Sequence, residues 1–351
     1  MSLDASPAAP TFVERAQTLV LPALREAVRT LHPWQAEIAG YAFGWAGEGV
    51  PAAGGSVAGG GKGLRPALVL VCARGVGVRP EAAVPAAVAV ELVHAFSLIH
   101  DDIIDGDERR RHRASVWKKY GVGPALLAGD GLLALAMRTL AAAPVSERAT
   151  RHLSSSLMEI VHGQSDDVLF ERRAWTGGEA VTMEEYARMA GSKSGALLAC
   201  AAALGAALGG AADTVVERLA AMGRQLGIAL QIVDDLLGIW GEQEVTGKPV
   251  LSDLRRGKKT LPVVAALTSG EAQAGRLAGL LADVPGGGRE PEQDSLRAAV
   301  RLIEEAGGRR IAERRAVEHV ETALGMAARV LDRDAVQELR AYAAYLVGRT
   351  R

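Results

Sequence analysis

Apolar residues recur at spacings of three and four along almost the whole chain, and alternating runs rich in Val, Ile and Thr are missing. A three-and-four spacing lines one face of an α-helix, whereas alternation lines one face of a strand. The chain therefore reads as all-α. The spacing predicts helices near residues 11–31, 33–46, 64–74, 80–105, 124–143, 147–170, 182–209, 213–239, 259–268, 272–283, 293–306, 308–331 and 333–348. Gly- and Pro-rich stretches at 44–63 and 285–290 mark loops. Neither separates segments with cores of their own, so residues 1–351 read as one domain. With 49% hydrophobic residues in 351, such a chain buries about three quarters of its unfolded surface, ample for a large core.

A net charge of −1 gives no global attraction to nucleic acid or to an anionic membrane, so any anion must bind locally. Cys72 and Cys200 lie in apolar, alanine-rich stretches and read as reduced core thiols of a cytoplasmic protein. The start of the chain, with Asp4 and a Pro-Ala stretch, lacks the pattern of a secretory signal. The longest uncharged apolar run, Ala196 to Leu208, is short and alanine-rich for a bilayer span, so no stable membrane insertion is expected.

Two pairs of adjacent acids, Asp101-Asp102 and Asp234-Asp235, each close an apolar helical stretch. Such acids repel one another and are costly to bury, so each pair calls for a compensating cation. Magnesium suits them: it takes carboxylate oxygens, keeps several waters and completes its shell with substrate phosphates. Asp105, one turn after Asp101, adds a third carboxylate to that cluster. Acids there also oppose the negative end of the helix dipole, which argues against a merely solvated terminus. The basic run Arg109 to Arg113 follows at once, and guanidinium groups match phosphate oxygens in a planar fork. Upstream, Lys62 and Arg65 stand where a Gly-rich loop enters a helix, a place that can hold an anion. It is not a Walker loop, because Ser56 and Gly63 occupy the wrong positions. Gln231 precedes Asp234 and Asp235 by three and four residues, so all three can face one cavity.

Lys62-Gly63-Leu64-Arg65-Pro66, Glu91 to His94, His100 to Asp105, Arg110-Arg111, Gly163-Gln164, Lys193-Ser194, Gln231 to Asp235 and Gly247-Lys248-Pro249, in this order, resemble the trans-isoprenyl diphosphate synthases. The resemblance covers roughly residues 60 to 262. It implies the isoprenoid synthase fold, a bundle of mostly antiparallel helices around a deep central cavity, and a homodimer. It implies that Asp101, Asp102 and Asp105 hold two magnesium ions on an allylic diphosphate and that Asp234 reaches a third. Arg110, Lys193, Lys248 and Lys258 would grip that diphosphate, with Ser194 and Gln231 in support. Lys62, Arg65, His94 and Arg111 would bind isopentenyl diphosphate. The implied reaction ionises the allylic ester, joins the two substrates head to tail and loses a proton, which on the resemblance goes to the departing diphosphate rather than to a protein base.

The chain departs from the family's pattern at Gly238, where a third acid usually completes the second motif, and at Leu230, His112, Ala114 and Trp117. Phe96, five residues before Asp101 and so about 7.5 Å along the helix axis, resembles the chain-length residue of geranylgeranyl diphosphate synthases. A C20 product is expected over the C15 product of a farnesyl diphosphate synthase. Three other functions stand beside this one. A terpene cyclase would leave Lys62, Arg65 and His94 without purpose, a noncatalytic subunit of a heteromeric synthase would not need an intact first motif, and a metal-buffering bundle would not need the phosphate-type cations.

Overall fold

A computed structural model describes residues 10–45, 63–143, 146–241, 250–270, 272–282 and 293–348. Lys62 and Lys248 lie outside them, as do most of the Gly-rich loop and residues 285–290. The helices are α1 (Thr11–Arg29), α2 (Pro33–Ala42), α3 (Leu64–Gly75), α4 (Val84–Ile104), α5 (Val116–Tyr120), α6 (Val122–Ala141), α7 (Ser146–Glu171), α8 (Met183–Ala190), α9 (Ala196–Ala207) and α10 (Asp213–Trp240). They continue as α11 (Ser252–Arg255), α12 (Leu261–Leu267), α13 (Ala272–Ala282), α14 (Gln293–Glu305), α15 (Gly308–Ala327) and α16 (Arg333–Val347). Among the described residues the only strands are β1 (Arg109–Arg110) and β2 (Arg113–Ala114). The all-α expectation holds.

The chain packs as two compact units. The first comprises Met1–Ser156, Leu197–Gly223 and Leu324–Tyr345, and the second Leu157–Ala196, Arg224–Ala323 and Leu346–Arg351. In the first, α4 carries Pro85 in its opening turn, where a missing N–H leaves nothing unsatisfied. Its buried residues include Ala86, Ala87, Val88, Ala89 and Val90, small side chains that let neighbouring helices approach closely. The second is built on Phe170 of α7, Tyr186 of α8, Ile228, Ile232 and Leu236 of α10, Leu261 of α12 and Ala312 of α15.

The structure departs from the sequence reading in several places, among them two short helices, α5 and α11, where no helix is expected. The helix expected over 182–209 contains a π-helical turn, Gly191–Gly195, between α8 and α9. Strands β1 and β2 pair antiparallel, Arg109 opposite Ala114 and Arg110 opposite Arg113; two-residue strands are too short to show alternation. Apolar helices longer than the Ala196–Leu208 run are present. The stretches Pro80–Ile104, Val122–Ala141 and Met183–Ala207 are long and apolar enough to cross a membrane. In the first and third most of the apolar window is spent on the protein's own interior, 67% and 83% buried, whereas Val122–Ala141 is 39% buried.

Candidate active site

At the end of α4 the adjacent acids part company. Asp102 is buried, while Asp101 and Asp105 reach solvent in part. Compensation for the buried carboxylate comes from the protein. Arg110 Nε donates to both Asp102 oxygens, at 2.8 and 2.9 Å, and a second guanidinium nitrogen lies 2.6 Å from Oδ1. Burial opposes the charge on Arg110, but Asp102 and then Asp101 and Asp105 outweigh it and raise its pKa. A fork of this kind is the strong form of a charged hydrogen bond.

The hairpin delivers Arg110. Arg111 and His112 form its two-residue turn with φ of 51° and 65°, as the twist of paired strands requires. These are side-chain-bearing residues in a left-handed backbone, a source of strain that persists where surroundings enforce it. Arg109 donates to the His112 carbonyl at 2.7 Å, and Trp117 Nε1 to the Asp107 carbonyl at 2.8 Å. Trp117, one of the departures from the family pattern, thus fastens the loop from below.

Behind the hairpin, Arg65 lies 2.9 Å from His94 Nε2. Burial, then Arg65, Arg111 and Arg110, push the His94 pKa well down, so it is neutral and accepts from the guanidinium while its proton sits on Nδ1. Glu91, quoted in the sequence but given no role there, is buried and raised to about 7 by that burial, with Arg65 and Arg111 pulling the other way. Its Oε2 has no hydrogen-bond partner among the described residues. Phe96 packs edge-on against His100 with ring centroids 4.8 Å apart.

The second unit repeats the division of labour. Asp234 is exposed and Asp235 buried. Asp235 accepts from Tyr186 Oη at 2.7 Å, from the Leu261 N–H at 2.8 Å and from Gln231 Nε2 at 2.9 Å. Ser194 Oγ donates to Gln231 Oε1 at 2.5 Å, so Ser194, Gln231 and Asp235 form one chain. Burial pushes the Asp235 carboxyl up to about 7 despite those donors.

Lys193 and Lys258 meet on Asp167, at 2.5 and 3.2 Å from its Oδ2. Burial raises the Asp167 pKa, and the two ammonium groups more than reverse it. Lys193 stands on the π-helical turn because two glycines make room for that turn. A Cβ on Gly163 of α7 would lie 2.2 Å from the Lys193 backbone nitrogen, and one on Gly227 of α10 would lie 2.5 Å from Gly195 Cα. One turn before Asp167, Gln164 Nε2 is buried without a hydrogen-bond partner among the described residues.

The structure thus joins Arg110 to Asp102, Arg65 to His94, Ser194 to Gln231, and Lys193 to Lys258 through Asp167. No three Asp, Glu, His or Cys side chains converge as a ready-made metal cage among the described residues. The Asp101, Asp102 and Asp105 carboxylates therefore do not form the three-acid cluster that their spacing predicts, because Asp102 is held by Arg110. Sequence reading missed Asp167, Tyr186 and Glu91. Two of them left a signal: Glu91 opens the run that ends at His94, and Asp167 stands three residues after Gln164 on a predicted helix.

Residues 52–302 match the family model described as polyprenyl synthetase. The (2E,6E)-farnesyl diphosphate synthase of Mycobacterium tuberculosis is 44% identical over 339 residues, covering 95% of this chain and 91% of that protein. The geranylgeranyl diphosphate synthase of the same organism is 42% identical over 316 residues, covering 89% and 87%. The crystal structure of a polyprenyl synthetase from Streptomyces coelicolor superposes with a TM-score of 0.84 at 42% identity, covering 96% of this chain and 98% of that one.

Proposed function

Because the chain belongs to the polyprenyl synthetase family and is a trans-isoprenyl diphosphate synthase, we propose that it condenses isopentenyl diphosphate with an allylic diphosphate of five to fifteen carbons and makes geranylgeranyl diphosphate. One observation carries the reading of the site. In each acid pair the protein satisfies the buried member, and the other member reaches solvent, Asp101 within the field of the Arg110 guanidinium. Carboxylates so placed offer oxygen to a hard divalent ion that arrives with a diphosphate.

The proposed cofactor is magnesium, two or three ions, held by Asp101, Asp105 and Asp234. Asp102, a further ligand on the resemblance, is taken by Arg110 here, and its share in metal binding requires that ion pair to open. When bound, magnesium supplies positive charge where the leaving diphosphate gains negative charge. Lys193, Lys258 and Arg110 add fixed cations for the same charge, with Ser194 and Gln231 in support, and preorganised charge of this kind is the larger part of such catalysis. Arg65, Arg111 and the neutral His94 are the proposed holders of the isopentenyl diphosphate. Lys62 and Lys248 keep the roles the resemblance gives them.

The family match runs through both units, which supports one polyprenyl synthetase domain. Val122, Leu126 and Leu127 lie exposed on α6, a patch of the sort a second copy covers, and we include a homodimer. Both cysteines are buried and unbridged, which supports a cytoplasmic setting. Product length rests on Phe96; relatives of both product lengths match almost equally well. The test incubates pure protein with magnesium, isopentenyl diphosphate and each of the C5, C10 and C15 allylic diphosphates. C20 product from all three, and longer product from Phe96→Ala, is the expected result; arrest at C15 defeats the length assignment, and no condensation with any partner defeats the function.

A further inference from the structure

The π-helical turn Gly191–Gly195 is met by two helices in matching order. On α10, Arg224, Gly227 and Gln231 fall at spacings of three and four and share one face. On α7, Glu159, Gly163 and Asp167 are spaced by fours and do the same. The last residue of each series holds a side chain of the turn, Gln231 the Ser194 hydroxyl and Asp167 the Lys193 ammonium. The middle residue of each is the glycine that admits the turn's backbone. That leaves the first of each series, Arg224 and Glu159.

Those two are paired, and the pair grips the turn. One guanidinium nitrogen of Arg224 donates to the Gly191 carbonyl at 2.9 Å, and the other lies 2.6 Å from Glu159 Oε2. The stem of Arg224 runs along the last residue of the turn, since a Cβ on Gly195 would fall 3.1 Å from Arg224 Cγ. A single side chain thus touches both ends. A π turn closes i to i+5 hydrogen bonds in place of i to i+4, is rare, and concentrates at functional sites. The side chains of the pair are 36% and 40% exposed, and an ion pair so exposed adds little to overall stability. Its effect lies in where it holds the backbone.

We propose that Arg224, oriented by Glu159, is a positioning residue for prenyl transfer: it fixes the π-helical turn and with it the places of Lys193 and Ser194. This rests on the proposed reading in which those two residues serve the allylic diphosphate. Without Arg224 the turn is free to wind back into α-helical register. A register change of one residue is a rotation of about 100°, enough to carry Lys193 and Ser194 away from Asp167 and Gln231.

The test compares full-length Arg224→Met, which keeps the stem and removes both donors, with wild type. Steady-state kinetics with magnesium give KM for each substrate separately, and thermal unfolding checks folding. Loss of a hydrogen bond to a charged group costs about 10- to 100-fold, so KM for the allylic diphosphate should rise by that factor. The proposed holders of isopentenyl diphosphate include Arg65, His94 and Arg111 of the first unit, and its KM should stay within about twofold, as for sites without shared partners. Glu159→Gln should raise the allylic KM by less, and adding it to Arg224→Met should change nothing further; a fully additive double variant defeats the role given to Glu159. A folded Arg224→Met with wild-type allylic KM overturns the proposal, and so do equal rises in both KM values, the mark of a general loosening. Should Arg224→Met not fold, Arg224→Lys decides by the same comparison, because one ammonium cannot serve carbonyl and carboxylate as a fork does. Wild-type protein that condenses nothing would defeat the enzymatic reading alone; magnesium-dependent binding of inorganic pyrophosphate, followed by calorimetry, then measures the loss in Arg224→Met.

Discussion

Asp235→Asn isolates the electrostatics of one buried carboxyl. Asp235 is 4% exposed, and burial pushes it up to about 7 from an ordinary 3.8. Between those two values the folded chain holds a proton that the unfolded chain has released. Its stabilising contribution is therefore complete below about pH 4 and disappears as pH rises through 7. Integrated from pH 5 to pH 8, the loss is about 3 kcal/mol. For 351 residues, at about 2 cal/mol/K of unfolding entropy per residue, that is about 4 °C in melting temperature. Asn does not titrate, so the fall in melting temperature between pH 5 and pH 8 should be about 4 °C smaller in Asp235→Asn than in wild type. Glu91, also raised to about 7, contributes to both proteins and cancels. The Asn amide would face Gln231 Nε2, donor against donor, unless Gln231 flips and the Ser194 hydroxyl turns from donor to acceptor. That rearrangement lowers stability at all pH values and leaves the slope unaffected. Calorimetry on both proteins across the range measures the difference; slopes equal to within about 1 °C would refute a proton held on Asp235.

Arg110→Ala leaves Asp102 buried without its guanidinium and should destabilise by about 3–5 kcal/mol; adding Asp102→Asn should recover most of it, and an unchanged melting temperature would mean the pair is not formed in solution. His112→Gly should stabilise by about 0.5–1 kcal/mol, because glycine adopts the left-handed turn freely and the Arg109 contact is to the His112 carbonyl, which remains. A lower melting temperature for that variant would contradict the strained turn. Gly163→Ala pushes a methyl toward the Lys193 backbone and should cost about 1–3 kcal/mol together with most of the prenyltransferase turnover; wild-type values in unfolding and steady-state kinetics would show that the crossing has slack.

Much of this molecule was legible before any coordinates. The helical period gave nearly all the helices because each buries an apolar face, and the acid pairs stood out because such residues seldom end apolar helices. What stayed hidden depended on contacts remote in sequence. The turn that carries Arg110 to Asp102 has no Asn-Gly or Gly at its centre, only Arg111 and His112, so nothing local announced it. The π-helical turn adds a residue to its helix without a visible break in the apolar pattern around Gly191–Gly195; its cause lies in Gly163 and Gly227. A side chain at position 238 of α10 would meet the Asp253 carboxylate of α11, a contact that Gly238 by itself does not announce.

Lys193 and Lys258 share the Asp167 carboxylate, and on the proposed reading this sets a threshold for entry. A singly charged anion drifting in finds two cations already neutralised in part and gains little by displacing a neighbour fixed in place. Only a guest that carries more than two negative charges, and that brings its own counterions, outcompetes the incumbent. Ordinary cellular phosphate should then be a poor inhibitor of this protein, and pyrophosphate with its metal a good one.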